Sequence, residues 1–237
     1  MPAIKVKAKK KRRRKPVLIL LLILLIAIGV FYIYYMISRV RNNEIFNAES
    51  IDYLVLYEHE ESSANFYLIR TKNDKVMAIE IPLYASLHGK DTLNGKDVGN
   101  ALQTIDEWLG INAEYEYHFA INDKTLRNLS NSLGNEVENM DAFLDLLSDR
   151  GLKVFDYWRL GDFEKIIIDN NTNAKISTSA IAALLDRVTN LKRDPYRLKG
   201  MTEKPIKIYV SNNEEPVEKI YIDTESLDDL RKQLEEW

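Results

Sequence analysis

Residues 67–82 read YLIRTKNDKVMAIEIP, and this stretch decides the fold. Two runs of β-branched and apolar residues, 65–71 and 75–82, flank Lys72-Asn73-Asp74. Asparagine and aspartate tolerate tight-turn backbone, so the pattern predicts an antiparallel hairpin. Upstream, residues 51–57 (IDYLVLY) predict another strand. Downstream, Val98, Ala101, Leu102, Ile105, Trp108 and Leu109 recur at helical spacing and predict a helix over 96–109 that Gly110 ends. Residues 115–121 (YEYHFAI) alternate as a strand does, and Asn122 is placed to cap a helix reaching Leu133, with Gly134 as its stop.

Further on, a helix is predicted over 140–148, with Gly151 beyond it, and another over 177–191. The apolar runs 152–158 and 164–169 have strand character. Residues 206–210 and 217–222 form a second hairpin signal around Asn212-Asn213, and Thr224 is read as the cap of a last helix over 225–237. Strands interleaved with helices predict an α/β/α layered domain around a mixed sheet, over 51–237, with 205–237 as its terminal hairpin and helix.

A different kind of segment precedes that domain. Residues 17–37 read VLILLLILLIAIGVFYIYYMI, opening on Val17 and closing on Ile37, without one charge. At 1.5 Å per residue this run reaches about 30 Å, the thickness of a bilayer's hydrocarbon core. Phe31, Tyr32, Tyr34 and Tyr35 cluster where an aromatic belt would sit. Nine basic residues precede the run, Arg12, Arg13 and Arg14 among them, and Arg39 and Arg41 follow it. The run is too long, and ends in residues too bulky, for a cleaved signal peptide. The expectation is a basic cytoplasmic tail (1–16), a single transmembrane helix (17–37), a linker (38–50) and an extracytoplasmic domain, with the lipid bilayer as partner.

Charge narrows the function. Beyond Arg41 stand 22 basic residues against 36 acidic ones, so the outer domain is acidic and has no electrostatic case for nucleic acid. With no cysteine there is neither a disulfide nor a thiolate metal site. His59, His88 and His118 fall in separate segments without ligand spacing, so no metal site is read from the histidines. The acidic run around His59, residues 58–61, reads as a solvated loop. No Gly-x-Ser-x-Gly elbow and no glycine-rich phosphate loop is present. Trp108 reads as a core residue. Trp158 and Trp237 are core or interface residues, with the core favoured.

The order of segments resembles the LytR–CpsA–Psr family of bacterial envelope proteins. Residues 67–82 are similar to that family's hairpin, which ends in Ile-Pro-Arg-Asp. Leu93-Asn94, Leu109-Gly110-Ile111 and Leu133-Gly134 are similar to its later elements, and Arg159 with Gly161-Asp162-Phe163-Glu164-Lys165 to its Asp-x-x-Arg segment. The likeness covers about residues 51–191. It implies a short cytoplasmic tail, one spanning helix and an outer α/β/α domain that moves glycopolymers from a polyprenyl-pyrophosphate carrier to the cell wall. It also implies a divalent cation (Mg, if the domain is active), arginines on the pyrophosphate and an apolar lipid pocket.

The chain departs from that pattern where the chemistry belongs. Leu83-Tyr84 stand in place of Arg-Asp, Ala64 or Asn65 in place of an acid, and Lys165 and Ile168 in place of two arginines. Leucine has no donors to grip phosphate, and an alanine or amide holds a cation poorly. The strand character of 165–169 also conflicts with a helix expected there. Arg159, Asp162 and Lys165 remain as a reduced site for a phosphate or lipid head group, or as a surface salt-bridge group. No catalytic residue is assigned. The expectation is an LCP-like envelope-assembly domain with degraded transferase chemistry and a role in binding lipid, polyprenyl-phosphate-linked glycan or envelope proteins. The alternatives are a bitopic scaffold, or an active transferase rebuilt on Glu80, Asp91 and Asp97.

Overall fold

The structure, a computed structural model, describes residues 15–59, 64–87, 92–169, 173–191, 195–209 and 216–236, with the backbone alone for 15–17. Arg12, Arg13, Arg14, His88, Asp91, the Asn212-Asn213 turn and Trp237 lie outside the described residues, as does the Val17 side chain. The chain divides into two units, Met1–Arg39 and Val40–Trp237.

The first unit carries most of α1 (Lys15–Arg41). Its stretch Leu18–Arg41 has a mean hydropathy of 2.8 over its best window, and none of that window is buried against protein. A helix apolar on every side suits a hydrocarbon solvent rather than a half-wet surface. It is long and apolar enough to cross a membrane.

The second unit runs β1 (Ser50–Glu58), β2 (Asn65–Lys72), β3 (Lys75–Pro82), β4 (Ala85–Ser86), α2 (Val98–Leu109), β5 (Tyr115–Asn122), α3 (Asp123–Leu133), α4 (Met140–Arg150), α5 (Leu160–Ile168), α6 (Thr178–Arg187), β6 (Tyr196–Arg197), β7 (Ile206–Ile208), β8 (Val217–Tyr221) and α7 (Thr224–Glu235). The hairpin forms as the sequence requires: β2 and β3 pair antiparallel, and Asn73 turns with a left-handed φ of 52°. A five-stranded mixed sheet results, in the order β5-β1-β2-β3-β6, with β1–β5 and β3–β6 parallel. A smaller sheet orders β4-β8-β7.

Both faces of the large sheet are covered, which is why β1 reads as a continuous apolar run. Leu54, Leu56, Leu68 and Ile79 pack against α2 and α7 through Leu102, Ile105, Leu227 and Leu230. On the other face the Tyr53 hydroxyl donates to the Ala180 carbonyl of α6 at 2.9 Å. The layers are therefore α/β/α around a mixed sheet. Helix starts are capped as read: Asn122 accepts from the Thr125 amide, and Gly110 and Gly134 end α2 and α3 in left-handed conformation.

Four local readings are corrected. Residues 152–158 hold a 3-10 turn, Val154–Trp158, instead of a strand. Asp156 accepts from the Lys153 amide at 2.7 Å and pairs with Arg150 at 2.6 Å, which curls the chain. Residues 164–168 belong to helix α5, with Asp169 as its C-cap, because Leu160, Phe163 and Ile167 share one buried face. The β-branched Ile166-Ile167-Ile168 suggested a strand, but packing overrides that propensity. Asp223, not Thr224, caps α7. Trp158 is 37% exposed and not in the core.

One buried cluster makes stability depend on pH. Arg70 donates to Asp52 and, at 3.1 Å, to the Asn112 carbonyl. Asp106 on α2 is buried, and neither carboxylate oxygen has a hydrogen-bond partner among the described residues. Burial pushes Asp106 up to about 8, with the charges of Asp52 and Glu116 adding to it. Burial pushes Asp52 up to about 7 despite Arg70. A carboxyl whose folded pKa is raised contributes its stability below the unfolded value, and loses it as pH climbs through the folded value. Thermal melts of the full chain in nanodiscs should show a falling Tm from pH 5 to pH 9, at a cost of up to about 1.4 kcal/mol per pH unit per ionising group. Asp106→Asn should flatten the upper part of that slope, and an unchanged slope would contradict the assignment.

Candidate functional site

Because β1 and β5 run parallel, and β3 and β6 likewise, the carboxyl ends of all four reach one edge of the sheet. Open α/β sheets favour ligands at that edge. Here it gathers polar side chains from six elements and from the residue after β1. The hydroxyl of Tyr57, one residue before the end of β1, donates to Asp123 Oδ1 at 2.7 Å. Asp123, opening α3, also lies 2.9 Å from His59 Nδ1 through either oxygen. The Tyr57 ring meets the Tyr67 ring edge-on, with centroids 6.4 Å apart.

Tyr67 leads to the second half of the edge. Asn65 Nδ2 donates to Glu80 Oε1 at 2.8 Å. Arg197 Nε lies 2.9 Å from Glu80 Oε2 as an ion pair. Arg197 also donates to Asp141 Oδ2 of α4 at 2.9 Å. Burial raises Glu80 above the usual carboxylate range, and Arg197 opposes that. Burial raises Tyr57 and Tyr67 as well, so both hydroxyls stay protonated and act as donors.

Beside this network opens a cleft of about 670 Å³. Its lining mixes apolar Pro82, Leu83, Leu198 and Ile220 with polar Asn65, Glu80, Arg197, Lys199 and Glu203. Ala64, Asn65, Leu83 and Tyr84 all line it. These are the positions where the family resemblance expects a carboxylate and an Arg-Asp pair, so these substitutions fall within one cleft, whereas Lys165 and Ile168 lie on α5 outside it. Magnesium wants several hard oxygens around it. Glu80 is already paired with Arg197, which leaves Glu203 as the cleft's other carboxylate. No group of three or more histidine or acidic side chains able to hold a metal occurs among the described residues.

Arg159, Asp162 and Lys165 lie elsewhere. Arg159 donates to the Ser132 carbonyl and stacks over Phe163, 5.7 Å from its centroid. Ser132 stands nine residues beyond Asp123, at the far end of α3, roughly 14 Å along the helix from the polar edge. Asp162 and Lys165 are exposed on α5. Leu133 and Phe163, beside Arg159, line an apolar seam with Phe119, Phe143, Ile181 and Leu185. The seam holds about 50 Å³, less than the share of two waters. A lipid chain would enter only if the helices around it moved apart. Of the carboxylates considered for a rebuilt site, Glu80 reaches the cleft, whereas Asp97 is occupied in capping α2.

Tyr57, Tyr67, Asp123, Asp141 and Arg197 went unmarked in the sequence. Asp123 directly after the capping Asn122 was the one local signal available.

No family model matches the chain, and neither does any curated protein sequence. Among solved structures the likeness is clear. This chain folds like the Lin1025 protein of Listeria innocua. The match covers 79% of this chain and 98% of that one at 13% identity, with a TM-score of 0.50. Looser similarities include B. subtilis TagV (12% identity, 80% and 97% covered, TM-score 0.47). They also include the LytR-CPS2A-psr family protein YwtF (TagT) with bound octaprenyl pyrophosphate lipid (13% identity, 79% and 90% covered, TM-score 0.43). Identities this low speak of fold alone.

A glycine in the cleft wall gives a direct test of its packing. A Cβ on Gly200 would come within 2.4 Å of Ile220 Cγ2 and 3.0 Å of the Thr202 carbonyl oxygen. Gly200→Ala should cost about 1–3 kcal/mol by overpacking. Gly161 in α5 has open space around it, so Gly161→Ala should be neutral or gain up to about 1 kcal/mol. Denaturant unfolding of both variants checks the contrast, and equal effects would contradict this packing.

Proposed function

We propose that this chain is a membrane-anchored domain of LytR–CpsA–Psr type that works in bacterial envelope assembly by binding a polyprenyl-phosphate-linked ligand, without transferase turnover. The tail would lie in the cytoplasm and the domain outside, in keeping with nine basic residues before the apolar run and two after it. The observation that carries the reading is the cleft. It has room for a ligand and a lining of mixed apolar and polar character, yet Leu83 and Tyr84 line it, and of its carboxylates Glu80 is held by Asn65 and Arg197, with Glu203 as the other. Such a site binds an amphipathic anion, with phosphate toward Arg197 and Lys199 and isoprene toward Leu83 and Ile220. Among the described residues no group of three acids or histidines stands there to hold a cation that would activate a pyrophosphate.

Arg159, with Asp162 and Lys165, forms a second cationic spot, bordering the apolar seam. A head group there, with the lipid in an opened seam, is the competing placement. A scaffold role is favoured by exposed Ile206, Tyr209 and Val217 in and beside the terminal hairpin.

The test is titration of the full chain in nanodiscs with undecaprenyl phosphate, together with a Mg²⁺-dependent transfer assay. Saturable binding that Lys199→Ala weakens about tenfold, the loss of one charge-assisted contact, and no turnover are expected. Loss only in Arg159→Ala would move the head group to α5. Turnover abolished by Glu80→Gln would establish an active transferase, and no saturable binding would leave the scaffold.

A further inference from the structure

The 3-10 turn Val154–Trp158 carries an apolar patch that the fold does not use. Phe155 is 75% exposed, Val154 51% and Trp158 37%, and the two rings lie 5.9 Å apart. The patch is rigidly presented. Asp156, in the same turn, is buried and held by both guanidinium nitrogens of Arg150 at 2.6 Å and by the Lys153 amide at 2.7 Å. Presenting the rings outward therefore costs little further ordering.

The neighbour in the middle of the turn says what covers it. Tyr157 is buried, and its hydroxyl accepts from Arg41 Nε at 3.1 Å. Arg41 is the last residue of α1, four residues beyond Ile37, the end of the uncharged run. At 1.5 Å per residue that is about 6 Å of helix, within the depth of a headgroup layer. The chain thus pins this turn beside the point where it would leave a bilayer. Exposed Lys153 and Arg159 bracket the turn, while its one acid is neutralised internally. Asp162 follows on α5. Aromatic rings flanked by cations are the composition that membrane interfaces favour.

We propose that Val154, Phe155 and Trp158 insert into the interfacial layer of the membrane that α1 spans, with Lys153 and Arg159 on anionic headgroups, so that the domain rests on the bilayer instead of swinging from its linker. This rests on the reading of α1 as a spanning helix.

The chain has no cysteine, so single-cysteine variants take one probe each. Full chain carrying Phe155→Cys, Ala27→Cys or Met201→Cys, labelled with an environment-sensitive fluorophore, is reconstituted in vesicles of phosphatidylglycerol and phosphatidylcholine. Met201 is 73% exposed and serves as the control. The expected result is a blue-shifted probe at 155, quenched by lipid-borne nitroxide and shielded from iodide, with the probe at 201 open to iodide. Lys153→Glu combined with Arg159→Glu should return the 155 probe toward water. Water at 155 with lipid at 27 overturns the proposal alone. Water at both overturns the proposal and the spanning reading together. Lipid at both 155 and 201 overturns it as label-driven adsorption.

Discussion

Parallel pairing of β1 with β5 is the constraint on which the rest of the molecule depends. Every residue of β1 from Ile51 to Glu58 has its partner in β5, from Tyr115 to Asn122. Because the two strands point the same way, the chain leaves both at one edge, and Tyr57 meets Asp123 there across 66 residues of sequence. A slip of one residue would turn Tyr57 to the other face of the sheet and dissolve that contact. The antiparallel β2–β3 hairpin then carries Asn65 and Glu80 to the same edge, and β6 adds Arg197 beside β3. The cleft is a consequence of strand direction before it is a consequence of any one side chain.

The same parallel frame accounts for what the sequence revealed and what it hid. Local chemistry was legible: the Asn73 turn, the Asn122 cap, the glycines after α2 and α3, and the apolar stripe of α2 all act within a few residues. The region 152–169 was misread because its signal was residue type alone. Val154, Phe155 and the isoleucines favour strands, yet the Asp156 contacts curl one segment and a shared buried face makes a helix of the other. The site was harder still. Arg197 and Asp141 lie 56 residues apart, and no spacing rule joins them. Arg159 was visible because it stands near a family-like segment, but its position at the far end of α3 separates it from the cleft.

Charge is distributed unevenly between the two ends of the sheet. At the carboxyl edge two acids are held: Asp123 by Tyr57 and His59, and Glu80 by Asn65 and Arg197. Deeper under α2, Asp106 has none among the described residues and keeps its proton near neutrality. The first arrangement preserves a polar, accessible surface without an activated nucleophile. The second keeps a carboxyl group in the core only as long as it stays uncharged.

Hydrogen exchange of the full chain in nanodiscs, with and without polyprenyl phosphate, tests the central claim that the carboxyl edge is the ligand edge. Leu198 donates its amide to the Glu80 carbonyl at 2.9 Å, and Ile220 to that of Tyr84 at 2.7 Å, so the cleft walls report directly on its occupancy. The account predicts slowed exchange at Leu198 and Ile220 and at the amides around them. Slowing confined to α3 and α5, around the apolar seam, would contradict it.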